Sequence, residues 1–253
     1  MAPSAHIPFE THGEDRHSGW LITCDHATNI VPDEIGGGSL GLPQADMERH
    51  IAYDVGAAGV SRALADLLDA PAILSRFSRL VIDPNRGELD PTLVMQLYDG
   101  SIIPENRGIS QAEIDRRKRA YYAPYHAKLA EIAAALPAPT ILAVHSFTPQ
   151  LKKGPPRPWH IGILYDERAP EFSRALLACL RKIPDLCVGE NEPYAGHLPG
   201  DSLDRHANTH GLDHCVIELR NDLIETPEQQ QKWAEILAPA LQEAYVTRNA
   251  ERA

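Results

Sequence analysis

Long hydrophobic runs are missing from this chain. No stretch approaches the roughly 20 consecutive apolar residues that cross a bilayer, so no membrane-spanning helix is expected. An excess of positive charge is missing too. Lys and Arg number 24 against 35 Asp and Glu, a formal net charge of -11, which leaves no broad cationic face for nucleic acid. A local cluster of Arg can still reverse the field inside a cleft, so an acidic substrate is compatible with this charge. Paired cysteines are absent. Cys24, Cys179, Cys187 and Cys215 are scattered, none within a CxxC, which argues against a disulfide framework or a zinc–thiolate site. The first twenty residues are polar and lack the basic start and apolar run of a signal peptide, which predicts a cytoplasmic protein.

What is present suits one α/β domain over residues 1–253, with 1–18 expected as a loosely ordered N-terminal segment. The 43% hydrophobic content is enough for a sizeable core. Trp20 to Cys24 (WLITC), Pro71 to Leu74, Leu80 to Ile82, Thr140 to Val144 (TILAV), His160 to Tyr165, Leu186 to Val188 and His214 to Leu219 read as strands. Ile51, Val55, Val60, Leu64, Leu67 and Leu68 lie on one face of a helix expected over Asp46 to Leu68. Ser110-Gln111-Ala112-Glu113 is a capping signature that opens a helix to about Ala135. Further helices are expected over Pro170 to Arg181, Ser202 to Thr209 and Pro227 to Thr247, and the long stretch Asp83 to Ser110 reads as loop. Strands alternating with helices predict a three-layer α/β architecture: a mixed, mostly parallel sheet flanked by helices.

In open α/β sheets, sites form beyond the carboxyl ends of strands. Four segments place polar residues at such ends: Asp25-His26, Asp83 to Arg86, His145-Ser146 and Glu218-Leu219-Arg220. Burying them separately would cost several kcal/mol each, and one convergent site accounts for all four. Of the twelve histidines, His26 and His145 are the candidates for metal ligands, because two neutral imidazoles plus a carboxylate leave a coordination position open for water. Asp54, among small and apolar residues, Glu48 and Asn29 are the alternatives for the third ligand. Glu218 stands inside CVIEL, on the same face as Val216. It reads either as a general base with a raised pKa or as an ion-pair partner of Arg220. Arg76, Arg79 and Arg86 cluster around an apolar run and suit a carboxylate-bearing ligand, with a surface ion pair the favoured reading for Arg76. Tyr194, in NEPYAG, could close over such a ligand or pack within its own loop.

Taken in order, Cys24-Asp25-His26-Ala27, His50-Ile51-Ala52-Tyr53-Asp54-Val55-Gly56, Ser78-Arg79-Leu80-Val81-Ile82-Asp83-Pro84-Asn85-Arg86, His145-Ser146-Phe147, Asn191-Glu192-Pro193-Tyr194 and Ile217-Glu218-Leu219-Arg220 resemble the landmarks of the N-formylglutamate amidohydrolase family. That family is similar in fold to the zinc carboxypeptidases and aspartoacylases. The resemblance therefore implies a carboxypeptidase-like (phosphorylase/hydrolase-like) fold and one zinc ion, other divalent metals being possible. It implies His26 and His145 as ligands and Glu218 as the residue that activates water. Asn85 and Arg86 resemble the pair that holds a substrate carboxylate, and Arg79 resembles the Arg that polarises the scissile carbonyl; Tyr194 and Arg220 are expected, apart from the resemblance, as further substrate contacts. The carboxypeptidase pattern has a Glu ligand three residues after the first His. Here that position is Asn29, so the role passes to Asp54 of the HIAYD segment. The implied activity is hydrolysis of the amide of a small N-formyl or N-acyl acidic amino acid. The alternatives are a zinc peptidase or cell-wall amidase of the same fold, and a non-catalytic binder of acidic metabolites.

Overall fold

The computed structural model describes residues 6–196 and 198–252. In chain order the elements are β1 (Phe9–His12), β2 (Trp20–Cys24), α1 (Gln44–Met47), α2 (Ala57–Leu67), β3 (Ala72–Ser75), β4 (Leu97–Tyr98), β5 (Ser101–Ile102), α3 (Gln111–Arg117), α4 (Ala123–Ala135), β6 (Thr140–Phe147), β7 (Ile161–Leu164), α5 (Glu171–Leu180), β8 (Val188–Glu190), α6 (Ser202–His206), β9 (His214–Arg220) and α7 (Pro227–Arg252). Among the described residues, seven strands form one sheet in the order β1-β3-β2-β6-β9-β7-β8, and β4 and β5 form a separate hairpin. The pairings from β3 through β2 and β6 to β9 are parallel, as is β7 with β8, whereas β1 with β3 and β7 with β9 are antiparallel. The expected mixed, mostly parallel α/β sheet is thus the observed one. No helix among the described residues is long and apolar enough to cross a membrane.

Both faces of the sheet are covered because the central strands alternate between two cores. Trp20, Ile22 and Cys24 of β2 pack with α2, α5 and α7, through Val60, Leu64, Phe172, Leu176, Trp233 and Leu237. Leu21 points the other way, toward Leu129 and Ile132 of α4 and the buried Phe77. Strand β9 divides in the same manner. Cys215, Ile217 and Leu219 enter the first core, which leaves Val216 and Glu218 on the opposite face, as the alternation of CVIEL predicts.

Three local expectations are corrected. The helix expected over Asp46 to Leu68 is two helices, α1 and α2, separated by a turn that carries Asp54. Gly56 sits between them with φ +81°, a left-handed backbone that cannot continue a right-handed helix. Leu80 to Ile82 is no strand. All three residues are fully buried, but the chain turns there, and side chains replace a ladder: Asn106 donates to the Leu80 carbonyl (2.7 Å) and Arg117 to that of Val81 (2.9 Å). Within the segment expected to be loosely ordered, Phe9–His12 is an edge strand on β3, tied down by Arg62–Glu10 at 2.8 Å and His12–Asp66 at 2.7 Å; residues 1–5 lie outside the described residues. The capping signature holds, with Ser110 Oγ accepting from the Glu113 amide at 3.2 Å.

Candidate functional site

Parallel strands put their carboxyl ends side by side, and here β2 and β6 deliver His26 and His145. Strands β6 and β9 run in a register that sets His145 opposite Glu218. Asp54 arrives from the turn before α2. Its amide donates to the His26 carbonyl at 2.9 Å, which fixes that turn against the end of β2. His26, Asp54 and His145 each offer one ligand atom, and these atoms lie within 4.8 Å of one another. The imidazole centroids are 4.9 Å apart. Glu48 and Asn29 do not join this group: Glu48 is solvent-exposed, and the Asn29 amide donates to the Met47 carbonyl at 2.9 Å.

The polar contacts are specific. One oxygen of Asp54, Oδ2, lies 2.7 Å from His145 Nδ1 and 3.3 Å from His26 Nδ1, and accepts from the Ser146 amide at 3.3 Å. Each imidazole turns its other nitrogen toward a second carboxylate. His26 Nε2 is 2.7 Å from Asp83 Oδ1, and His145 Nε2 is 3.7 Å from Asp25 Oδ2. Asp25 is held in turn by the Tyr125 hydroxyl at 2.5 Å and the Ser202 hydroxyl at 3.3 Å. Asp83 accepts from Arg79 Nη2 at 2.9 Å and Nε at 3.2 Å, while Arg79 Nη1 reaches Asp54 Oδ1 at 3.4 Å.

Burial sets the electrostatics. Asp25, Asp54, Asp83 and Glu218 are all below 8% exposed, and Arg79 is 8% exposed. Four carboxylates therefore share a desolvated region with one guanidinium. Burial pushes the Asp54 carboxyl upward, but His26 and His145 outweigh it and hold the group well below the ordinary carboxylate range. Arg79 and His26 do the same for Asp83. Burial opposes charge on His145, yet the carboxylates of Asp25, Asp54 and Glu218 hold its pKa well above the usual imidazole value. Glu218 behaves oppositely. Burial raises it to about 7 against the pull of His145, and Asp54 adds to the rise.

This donor set fits a divalent cation. A neutral imidazole carries one N–H. Asp83 Oδ1 lies 2.7 Å from His26 Nε2, and a neutral ring that donates there would present its Nδ1 lone pair beside Asp54 Oδ2, where a cation would be held by both. Two imidazole nitrogens with one carboxylate oxygen is a donor set of the zinc type. Asp25 Oδ2, His145 Nε2 and Glu218 Oε2 are buried without hydrogen-bond partners among the described residues.

The cluster opens into a cavity of about 330 Å³. Asp54, Arg79, Asn85, Arg86, His145, Tyr194 and Glu218 line it, so most of the residues singled out from the sequence share one space; His26 belongs to the cluster with Asp54 and His145, and Arg76 does not line the cavity. Asn85 Oδ1 accepts from the Ser202 amide at 3.2 Å, and Arg86 donates to the Thr92 hydroxyl at 3.2 Å. The Tyr194 hydroxyl accepts from Arg157 at 3.0 Å. Arg220 does not join them. It pairs with Asp222 at 2.8 Å and donates to the carbonyls of Arg157 and Pro158 at 3.5 Å, because β9 carries it past the cavity toward the following turn. Sequence reasoning had no role for Asp25 and Asp83. Each was visible as a carboxylate ending a buried apolar run, but only the fold shows which imidazole it faces.

A model of the N-formylglutamate amidohydrolase family matches residues 18–225. Among solved structures, a gene product of Agrobacterium tumefaciens is 32% identical, with 96% of each chain covered and a TM-score of 0.89. The N-formylglutamate amidohydrolase of Ralstonia eutropha JMP134 is 21% identical over 97% of this chain and 100% of that one, with a TM-score of 0.67, and so shares the fold. No curated protein matches the chain. With the family model spanning β2 through β9 and every landmark of the cavity, the chain belongs to the N-formylglutamate amidohydrolase family and is an amidohydrolase.

Proposed function

We propose that this protein is a zinc-dependent amidohydrolase that cleaves the amide of a small N-formyl or N-acyl acidic amino acid, of the N-formylglutamate kind. One observation carries the reading: His26, Asp54 and His145 converge beside a buried Glu218 whose Oε2 has no hydrogen-bond partner among the described residues, and Asp54, His145 and Glu218 line one cavity. Held by those three side chains, a zinc-type cation would supply Lewis-acid polarisation and lower the pKa of water toward about 7.

The rest falls to the chain. Glu218, with its carboxyl group raised to about 7 by burial, takes a proton from the attacking water and hands it to the leaving amine. The water oxygen bonds to the acyl carbon as the C–N bond breaks, so the products are a carboxylic acid and a free amino acid. Arg79 spends three of its five N–H groups on Asp83 and Asp54; a remaining one polarises the acyl oxygen, an effect of roughly 3 kcal/mol for one such donor. Asn85 and Arg86 hold the substrate carboxylate and set the reacting geometry, and Tyr194 packs over the bound molecule. The net charge of -11 disfavours nucleic acid as a partner.

The test is metal analysis of untagged protein together with turnover of N-formylglutamate. One equivalent of zinc and activity lost on chelation are expected. Glu218→Gln should retain the metal and lose at least about a hundredfold in kcat, in line with the worth of a general base. Full activity in that variant would remove Glu218 from the mechanism.

A further inference from the structure

Two cavities meet at His50. Beyond the reaction cavity lies a second, of about 520 Å³, bordered by charged residues that include Arg49, Asp99 and Lys152. Consecutive residues divide between the two. Asp54 faces the first and Val55 the second, and the same holds for Tyr98 and Asp99 and for Phe147 and Thr148. Three pairs of chain neighbours thus border opposite spaces, and these segments form a partition. Among the described residues, His50 alone borders both spaces. Its side chain is only 10% exposed, its ring stands edge-on to Tyr98 at 6.0 Å, and its Nε2 lies 3.5 Å from Asp99 Oδ2. That nitrogen has no hydrogen-bond partner among the described residues.

We propose that His50 is a specificity-determining residue: its imidazole completes the partition and sets the longest substrate the reaction cavity accepts. The inference rests on the amidohydrolase reading above. The ring fills the gap that the three backbone segments leave, and removing it joins the two spaces. A chain too long for the first cavity then extends into the second, where Lys152 can meet a distal carboxylate.

The probes are linear dicarboxylates of increasing length, titrated calorimetrically into metal-loaded protein, and N-acylglutamates of increasing acyl length, followed by turnover. The native protein should favour short members of both series. His50→Ala should move the cutoff to longer chains and raise the long-to-short affinity ratio by about tenfold or more, the scale of discrimination that one or two methylenes produce in a confined pocket. His50→Gln, which keeps the bulk, should retain the native profile. If the alanine variant does not fold, His50→Val, smaller than imidazole yet still packing on Tyr98, should give a partial shift. The same length profile in the native protein and the small variant, or the same shift in His50→Gln, would overturn the proposal. N-formylglutamate turnover with unaltered length profiles would overturn the partition alone. A native protein that binds no dicarboxylate and turns over no N-acylglutamate would overturn the substrate reading and the partition together.

Discussion

At the centre of the site, the far nitrogen of each imidazole determines what the near one can do. Asp83 lies 2.7 Å from His26 Nε2 and is itself gripped by Arg79, so it favours the tautomer that offers the Nδ1 lone pair to a cation. Asp83→Asn keeps the shape but removes the charge that both Arg79 and His26 answer. Its affinity for zinc should fall about 10- to 100-fold, the usual cost of losing such an outer partner. Competition against a chromogenic chelator measures this, and an unchanged dissociation constant would show that Asp83 serves Arg79 alone. Asp25 faces His145 Nε2 at 3.7 Å, an ion-pair distance longer than a hydrogen bond, with Tyr125 and Ser202 as its own anchors.

Between elements, two junctions decide whether those residues meet. The first is the turn that carries Asp54 into α2. At Gly56 the backbone has φ +81°, and an added Cβ would lie 2.1 Å from the Ile224 carbonyl oxygen. Gly56→Ala therefore combines left-handed strain with a backbone clash and should lower stability by more than about 2 kcal/mol. Chemical denaturation would register this, and zinc affinity should fall with it because Asp54 moves. The second junction joins α4 to α6, where His126 Nδ1 and His206 Nε2 are 2.9 Å apart and the rings stack at 5.1 Å. Burial lowers both pKa values, to about 3 for His126 and about 4 for His206. The unfolded chain therefore binds more protons than the folded one between about pH 4 and 6.5. The stability this pair contributes is complete above about pH 6.5 and is lost as the pH falls toward 4, by up to about 1.4 kcal/mol per pH unit for each ring. The stability difference between the native protein and His206→Gln, from urea denaturation, should shrink across that window; a difference independent of pH would refute the assignment.

For the molecule as a whole, the dominant electrostatic feature is a surplus of buried negative charge: Asp25, Asp54, Asp83 and Glu218 against Arg79. A cation bound there stabilises the folded chain and has no equivalent site in the unfolded one. At a thousandfold excess of zinc over its dissociation constant the gain is about 4 kcal/mol. For a chain of this size that is a rise in Tm on the order of 10 °C, which a chelator should reverse. Calorimetric scans with zinc and with EDTA would show it, and equal Tm values would mean that the cluster holds no such ion.

How much of this could be read beforehand follows from which interactions are local. Short apolar runs in WLITC and TILAV were enough to identify two central strands, and the alternation of CVIEL to identify the third and the face on which Glu218 lies, because both signals depend only on neighbouring residues. Leu80 to Ile82 misled, since an apolar run reports burial and not hydrogen bonding, and the side chains of Asn106 and Arg117 that satisfy its carbonyls are remote in sequence. Asp46 to Leu68 misled because Ile51, buried in the turn after α1, continues the apolar spacing of α2, although α1 itself buries no residue. Residue types and order alone determined an α/β sheet, two candidate imidazoles, one inward glutamate and an Arg-rich approach to them. Only the folded chain decided that Asp54 and not Glu48 or Asn29 completes the cluster, that Arg220 stands outside, and that Asp25 and Asp83 stand behind the imidazoles. Each of those is a contact between segments many residues apart, set by the parallel register of β2, β6 and β9, and no local pattern of side chains encodes such a distance.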